Sequence, residues 1–448
     1  MKTPTSRPLL TLGVLLAINT LNFYDRQVLG AVAEPVRQQL DLDDAQYGWL
    51  TPAFVLLYAA AGVPLGRLAD RGRRTRLLAG GVALWSVLTA LSGLAWSFWS
   101  MFALRLGVGV GEAACAPAAN SLLGDLFPRE RRARALAVFM VGLPLGLALS
   151  SGVSVFVADR WGWRPAFLVA GLPGLALGLA CLLIPEPGRG AAEPLAVGAG
   201  HRRGSPFLLV LGAPTMRWLI LSGALHNFNM YALGAFLTPF LQRYHRLTIQ
   251  QAGWVSGAAY LCGGIGLFLG GWACDRLVRR RAAGRLELTA LASAAATACL
   301  VLALGQPPDS AGRFAAWLLP GCLFLYVYYS GVYATIQDVM EPALRGTAMA
   351  LYFAAMYLFA AFGPVVTGSL SRHFATRAAA AGGSEVVTDW HRAVALHEAL
   401  WLVPVLGGLL AVVLYFATRA VTGDYERLHL WMVTQGSRRA EGAGTRPG

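Results

Sequence analysis

From residue 8 to residue 418 the chain repeats one unit: about twenty consecutive, mostly apolar residues followed by a short polar loop. Each run is long enough to cross a hydrocarbon layer ~30 Å thick as a helix. Inside such a layer every backbone polar group has to be satisfied within the protein, which leaves the helix as the spanning element for separate runs of this kind. Twelve runs are recognised, at 8–34, 46–67, 76–97, 99–126, 133–158, 163–184, 216–242, 250–273, 286–305, 313–338, 346–372 and 393–418. Only 13% of the residues are charged, roughly half the fraction of a soluble protein. The expected fold is an all-α membrane protein with twelve transmembrane helices.

The charge that remains is unevenly placed. Net charge is +14, Lys2 is the only lysine, and the arginines gather in "GRLADRGRRTR" (66–76), "PRERRAR" (128–134) and "DRLVRRRAAGR" (275–285). These loops alternate with arginine-poor ones such as "DLDDAQ", "WSFWS" and "GQPPDSAG". The positive-inside rule then puts both termini in the cytoplasm of a multi-pass protein. A basic balance distributed in this way does not describe a nucleic-acid-binding face. The opening "MKTPTSRPLLTLGVLLAIN" resembles a signal peptide but runs on without a small-residue cleavage site, so it reads as an uncleaved first span. The lack of Asn-X-Ser/Thr sequons and of long external loops is compatible with a bacterial inner membrane. Six cysteines lie in or beside the apolar runs without metal or CxxC spacing and read as packing residues. No cofactor or metal site is expected, and no Ser/His/Asp or HExxH constellation suggests an enzyme. The glycines of "RLGVGVGEA" (105–113) lack the GxGxxG or Walker spacing of a nucleotide loop.

A Pro/Gly/Ala-rich stretch at 185–214 divides the chain into an N-terminal half (1–184) and a C-terminal half (215–420), with a tail at 421–448. The halves echo one another. "QYGWL" (46–50) meets "QAGWV" (251–255) at an offset of 205, as Gly66, Asp70 and Arg71 meet Gly271, Asp275 and Arg276; Asp125 and Arg132 meet Asp338 and Arg345 at an offset of 213. Two six-helix pseudo-repeats around a central site are the architecture of an alternating-access transporter. The tail "DYERLHLWMVTQG" reads either as a helix on the membrane surface through Leu428 and Trp431 or as disordered.

Four charged residues lie within the spans: Asp25 and Arg26 in the first, Arg105 and Glu112 in the fourth. Each costs on the order of 3 kcal/mol to insert, so they are expected to face the bundle interior or a wet cavity. Arg105 and Glu112, seven residues apart, share a helix face about two turns apart. Two acids can balance two arginines across the span 1–span 4 contact. A conformational change that carries an arginine away from a carboxylate alters that carboxylate's proton affinity. Glu112 and Asp25 are therefore candidate proton carriers, with Arg26 and Arg105 alternating between those acids and an anionic headgroup. The competing reading is a fixed salt-bridge network holding spans 1 and 4 together.

Gly107 and Gly111 form a small-xxx-small face for close helix approach. The prolines of "GLPLG" (142–146) and Gly363-Pro364 free a backbone carbonyl in spans 5 and 11. In the C-terminal half His226, Asn227 and Asn229 sit near mid-span, and Tyr326, Tyr329 and Tyr333 share one face of span 10. His226, Asn227 and Tyr329 are candidate cavity-lining, substrate-contacting residues; helix–helix hydrogen bonding and aromatic packing are the alternative. Asp70, Arg71 and Arg74, repeated as Asp275 and Arg276, are candidate latches for a cytoplasm-closed state, or simply a topogenic charge cluster.

These residues carry a resemblance. "GRLADRGRR" resembles the loop signature of the major facilitator superfamily, with its central glycine displaced by one residue. Within it, "NFYDRQVLGAV" (22–32), "RLGVGVGEAACAPAANSLLGDLFPRERRARALAVF" (105–139) and "GLPLG" resemble the Spinster branch. The organic anion–cation symporters, which also carry Asp-Arg in span 1 and Arg…Glu in span 4, are the nearest alternative. The Spinster resemblance implies a monomeric, proton-coupled carrier of lysophospholipids or sphingoid-type lipids, working by alternating access among membrane lipids. It assigns coupling and substrate binding to Asp25, Arg26, Arg105 and Glu112. An organic-anion/proton symporter or drug/proton antiporter of the same superfamily is the other expectation.

Overall fold

The computed structural model describes residues 8–127, 135–136, 138–187, 205–341, 344–381 and 386–444, and some side chains within helices, including those of Asp70, Arg71 and Trp431, lie outside the description. The described residues are helical and contain no strand. In the N-terminal group the helices are α1 (Pro8–Ala31), α2 (Ala33–Gln39), α3 (Asp44–Arg71), α4 (Arg74–Ser92), α5 (Phe98–Glu112), α6 (Cys115–Leu126), α7 (Val138–Trp161) and α8 (Trp163–Leu183). In the C-terminal group they are α9 (Pro206–Leu211), α10 (Pro214–Arg243), α11 (Ile249–Val278), α12 (Gly284–Leu304), α13 (Ala311–Val339), α14 (Arg345–Ala381), α15 (Asp389–Leu400) and α16 (Leu402–Gly444). The last runs on from the final span without a break, so the segment from 421 to 444 is helical. Within the 185–214 stretch, residues 188–204 are outside the description and 206–211 form the short α9.

Eight described helices are long and apolar enough to cross a membrane on their own account. The other expected spans fall on α1, α3, the α5–α6 pair and α10. Two of these, α1 and α10, are diluted by polar residues: Asn19, Asn22, Asp25, Arg26 and Gln27 in one, His226, Asn227 and Asn229 in the other. The fourth span is broken between Glu112 and Cys115 because Pro117 has no amide to donate and its ring crowds the carbonyl of Ala113, four residues back.

The helix starts show why the halves echo one another. Asp43 accepts from the Gln46 amide while the Gln46 side chain accepts from the Asp43 amide, a reciprocal capping box. Thr248 and Gln251 repeat it at the start of α11, at the same 205-residue offset. The glutamines of "QYGWL" and "QAGWV" are thus N3 capping residues at equivalent helix ends. Ser97 with Ser100 and Thr388 with His391 cap α5 and α15 at the same end of the bundle.

The two groups meet along α3–α14, α7–α11 and α1–α10. Toward the end opposite the arginine-rich loops they touch backbone to backbone. A Cβ at Gly48 would lie 2.5 Å from the Pro364 carbonyl oxygen, and one at Gly368 would lie 2.1 Å from that of Asp44. The glycines of "GLPLG" seat α7 on α1 at Thr20, and α7 then relaxes into a π turn at Ser150–Ser154. That turn brings Ser154 to donate to the Tyr24 hydroxyl at 2.8 Å.

At the arginine-rich end the ion pairs among the described residues stay within each group. Arg74, 1% exposed, is paired with Asp125 and, at 2.8 Å, with Glu186; it also donates to the Ser121 hydroxyl and the Pro187 carbonyl. Arg285 takes the corresponding place in the C-terminal group, paired with Asp338 and, at 2.9 Å, with Asp275. Arg276 lies over the Trp272 ring. Partial burial works to raise the Glu186 carboxyl, but the Thr75 and Arg74 amides, the Thr75 hydroxyl and the Arg74 guanidinium outweigh it and hold it below the usual carboxylate range. A carboxyl depressed in the folded state stabilises above its unfolded pKa and loses that contribution as pH falls through its folded one.

Arg74→Ala should cost about 2–3 kcal/mol, because it strands two partly buried carboxylates, while Arg74→Lys should recover part of it. Thermal denaturation of the purified protein measures both. Glu186→Gln should flatten the loss of stability between neutral and acid pH; an unchanged acid limb would remove Glu186 from that account.

Candidate functional site

Between the two groups lies a cavity with about 920 Å³ of space not filled by protein atoms, counting its mouth. Helices α1, α3, α5 and α7 form one wall and α10, α11 and α13 the other. The first wall carries Arg26, Arg105 and Glu112; the second presents Met230, Tyr231, Tyr260, Tyr326 and Tyr329.

Glu112 ends α5, at the break that Pro117 imposes. Its position is fixed by close approaches along "GVGVGE". A Cβ at Gly109 would come within 2.4 Å of the Phe54 carbonyl oxygen in α3, and one at Gly111 within 2.8 Å of the Trp85 amide in α4. Gly107 faces Leu88 of α4 as well, so Gly107 and Gly111 share one contact face. Fully buried, Glu112 accepts a hydrogen bond from Arg26 Nε at 2.7 Å. The Arg26 guanidinium lies 5.1, 5.0 and 4.8 Å from the ring centres of Phe23, Phe54 and Tyr58. Tyr58 in turn touches Tyr357 of α14, ring centres 5.4 Å apart, so the cation's aromatic surround reaches into the other group.

Asp25 points elsewhere. Neighbouring residues on a helix diverge by about 100°, and Asp25 is fully buried toward α4, where the Thr89 hydroxyl donates to Oδ2 at 3.4 Å. Arg105 reaches the main-chain carbonyl of Asp25 at 3.4 Å and the Ser92 hydroxyl at 3.0 Å, with its guanidinium 5.6 Å from the Phe167 ring centre. The structure therefore draws one close carboxylate–guanidinium pair from the four charges, Arg26–Glu112. Arg105 contacts Asp25 through the backbone.

Of the C-terminal candidates, Tyr329 lines the cavity and donates to Asn227 Oδ1 at 3.3 Å. His226 lies behind that wall, fully buried, stacked on Tyr328 with ring centres 3.8 Å apart and edge-on to Tyr329. Asn229 donates to the Val403 carbonyl. "NF" at 22–23 recurs at 227–228, again offset by 205 (227 − 22 = 205), so Asp25 and Arg26 correspond to Met230 and Tyr231. With the offset of 213 in span 4, Arg105 and Glu112 correspond to Leu318 and Leu325. Each of the four charges in one half has an uncharged counterpart in the other.

The sequence reading missed Arg243. It ends α10, one to two turns beyond the cavity's Leu29, Gly30 and Leu50. Its Nε donates to Glu34 at 2.7 Å and its Nη1 to both oxygens of Asp44, at 2.9 and 3.0 Å. Ser371 of α14 donates to the same Asp44 at 2.7 Å, and Arg37 donates to Glu34. Arg372 and Asp43 form a further, more exposed pair at 3.3 Å. Arg243 stood at the end of an apolar run, where an arginine resembles an ordinary flank; nothing local pointed to partners about two hundred residues away. Among the described residues, the ion pairs between the groups all lie at this end.

Arg243→Ala should loosen that end. In a background lacking the six native cysteines, Leu29→Cys should react with a membrane-impermeant maleimide added from that side about tenfold faster, a shift that needs only ~1.4 kcal/mol. An unchanged rate would show that the backbone contacts at Gly48 and Gly368 suffice.

Comparison with known proteins places this geometry. Residues 15–364 and 219–425 match the profile of the Major Facilitator Superfamily. The human protein spinster homolog 3 is 31% identical over 404 residues, covering 82% of this chain and 77% of the relative. An MFS-type efflux pump of Mycolicibacterium smegmatis is 29% identical over 418 residues, covering 91% and 92%. The crystal structure of a bacterial homologue of the human lysosomal transporter Spinster, inward-facing and unoccupied, superposes with a TM-score of 0.83 at 26% identity, covering 94% of this chain and 99% of that one.

Proposed function

The chain belongs to the major facilitator superfamily, in its Spinster-like branch, as an integral multi-pass secondary transporter that operates by alternating access, and on that premise we propose that it moves an amphiphilic lipid in exchange or in company with protons. The observation that carries the proposal is the Arg26–Glu112 pair in the wall of a cavity whose opposite wall is aromatic and aliphatic. A lysophospholipid or sphingoid-type lipid suits such a space: its ionic head meets Arg105 or Arg26 and its chain lies along the tyrosines. A hydrophilic sugar acid would call for polar groups on both walls.

In this reading Glu112 is the proton carrier. Protonation removes the charge that holds Arg26 and frees the guanidinium for an anionic head. Asp25 supports the exchange from the α4 side through Thr89 and the Arg105 contact. Tyr329 and Asn227 shape the C-terminal wall, with His226 behind them. The arginine-rich end is cytoplasmic, with both termini, in a bacterial inner membrane; the two helix groups are the rocking halves, joined by 185–214, of a monomer. The Arg243–Glu34–Asp44 cluster then holds the external side shut. The Arg74 and Arg285 centres, the latter including Asp275, keep each half rigid, and with the loop residues Asp70, Arg71 and Arg276 they serve as latches of the cytoplasm-closed state. A second reading, a drug/proton antiporter, is favoured by the mycobacterial efflux-pump relative.

The test is proton flux in proteoliposomes. Under an imposed pH gradient, lysophospholipids or sphingoid lipids should drive a change in lumenal pH. Glu112→Gln should reduce it to the level of liposomes carrying an inactive protein while lipid binding persists. Flux driven by cationic drugs and not by lipids would establish the second reading. Lipid-driven flux undiminished in Glu112→Gln would leave the pair as a structural bridge.

A further inference from the structure

Among the described residues, three side chains in the cavity wall carry a buried polar atom outside any hydrogen bond of good geometry: Arg105 Nε, Glu112 Oε1 and the hydroxyl of Tyr326. The first two belong to ionised groups on the N-terminal wall, already accounted for in the exchange of proton and headgroup. Tyr326 is different. It is neutral, it stands on the opposite wall, and it is 1% exposed.

Its ring is firmly seated. Gly263 of α11 faces it so closely that a Cβ there would come within 2.6 Å of Tyr326 Cδ2. Tyr329 packs edge-on against it, ring centres 5.7 Å apart. A phenol held on two sides cannot swing to find a partner. The neighbouring tyrosines have found theirs: Tyr328 shares its hydroxyl with Ser222 at 2.8 Å and Tyr352 at 3.0 Å, and Tyr329 donates to Asn227. A buried hydroxyl without a partner is less favourable than the phenylalanine that would fill the same seat. Tyr326 also stands level with the charged site. At the 213-residue offset that relates Asp125 to Asp338, Ala113, next to Glu112, corresponds to Tyr326 (326 − 113 = 213).

We propose that Tyr326 is a specificity-determining residue whose hydroxyl hydrogen-bonds a neutral oxygen of the transported amphiphile, a hydroxyl or ester carbonyl close to its ionic head. This deepens the lipid reading and rests on it. The cavity then recognises two functions on opposite walls, an ionic head by Arg105 or Arg26 and a neutral oxygen by Tyr326. It prefers amphiphiles with a glycerol- or sphingoid-type backbone to simple alkyl anions of equal chain length.

The experiment compares two probes that share a phosphate and an eighteen-carbon chain with a single double bond (about equal apolar area). One is 1-oleoyl lysophosphatidic acid, which has the ester and the free hydroxyl; the other is oleyl phosphate, which has neither. Binding to the purified full-length protein is followed by intrinsic tryptophan fluorescence. The wild type should bind the lysolipid about tenfold more tightly, the scale of one buried neutral hydrogen bond. In Tyr326→Phe the ratio should fall to about one, with oleyl phosphate affinity unchanged and the ligand-free protein at least as thermally stable as the wild type. That stability reading separates lost recognition from lost folding. A ratio that survives Tyr326→Phe, an equal loss for both probes, or no wild-type preference overturns the proposal alone. Failure of the wild type to bind either probe overturns the lipid reading and this inference with it.

Discussion

A guanidinium and a carboxylate held within a helical bundle at membrane depth set the terms for the rest of this structure. Neither is tolerable alone in a medium that does not hydrate it, and each makes the other tolerable only at hydrogen-bond distance. Bringing Arg26 of α1 to Glu112 of α5 requires α3, α4 and α5 to approach more closely than side chains allow. The glycines at 107, 109 and 111 supply that approach, and Pro117 ends the helix immediately beyond. The rings of Phe23, Phe54 and Tyr58 then enclose the cation on the faces Glu112 does not reach. The glycine run, whose spacing excludes a phosphate loop, is the backbone relief that a buried ion pair needs.

The two ends of the bundle use the same chemistry for opposite purposes. At the arginine-rich end, Arg74 and Arg285 each bind carboxylates of their own group, which ties helices into a unit without joining the units. At the other end, Arg243 binds Glu34 and Asp44 across the boundary and Ser371 adds a second crossing. Bonds that stay inside a group survive a rocking motion; bonds that cross the boundary have to break in it. That contrast is what a bundle alternating between two states requires, and it gives a physical reason why the Asp70–Arg74 loop and its repeat are so densely charged. A charge centre buried inside a rigid unit also answers to the topogenic rule without any conflict.

What could be read from the sequence was what depends on spacing. Twelve spans follow from run length, and the repeat at Gln46 and Gln251 follows from a capping box whose partners lie three residues apart. Asp25, Arg26, Arg105 and Glu112 stand out because any charge in an apolar run does. What was not legible depends on direction and on distance. Asp25 and Arg26 were grouped as neighbours, yet a helix turns them to different sides, and only Arg26 lines the cavity. His226 looked like a polar group for the cavity, yet it is turned back onto Tyr328. Arg243 carried no local mark at all, since its partners are set by how two distant helix ends meet. The break at Glu112 was foreshadowed by Pro117, but the run's unbroken hydropathy hid it.

The pseudo-symmetry makes the asymmetry informative. Helix starts, loop arginines and the Arg74–Asp125 and Arg285–Asp338 centres repeat between the halves, so the frame is duplicated. The chemistry is not: Asp25, Arg26, Arg105 and Glu112 map onto Met230, Tyr231, Leu318 and Leu325. One half therefore holds the four charged groups, and the other presents uncharged side chains at the matching positions. Such a division has a mechanical consequence. A change of charge on one wall alters the attraction between the walls only through whatever bridges them. The protein's own bridges include Gln27 Nε2, which donates to the Gly234 carbonyl at 3.3 Å, and the Tyr58–Tyr357 contact beside Arg26. Once a ligand is bound, its own body is a further bridge, touching charge on one side and tyrosine on the other. Under the proposed function, substrate and proton are coupled through these bridges, because each alters the contact through which the other is felt.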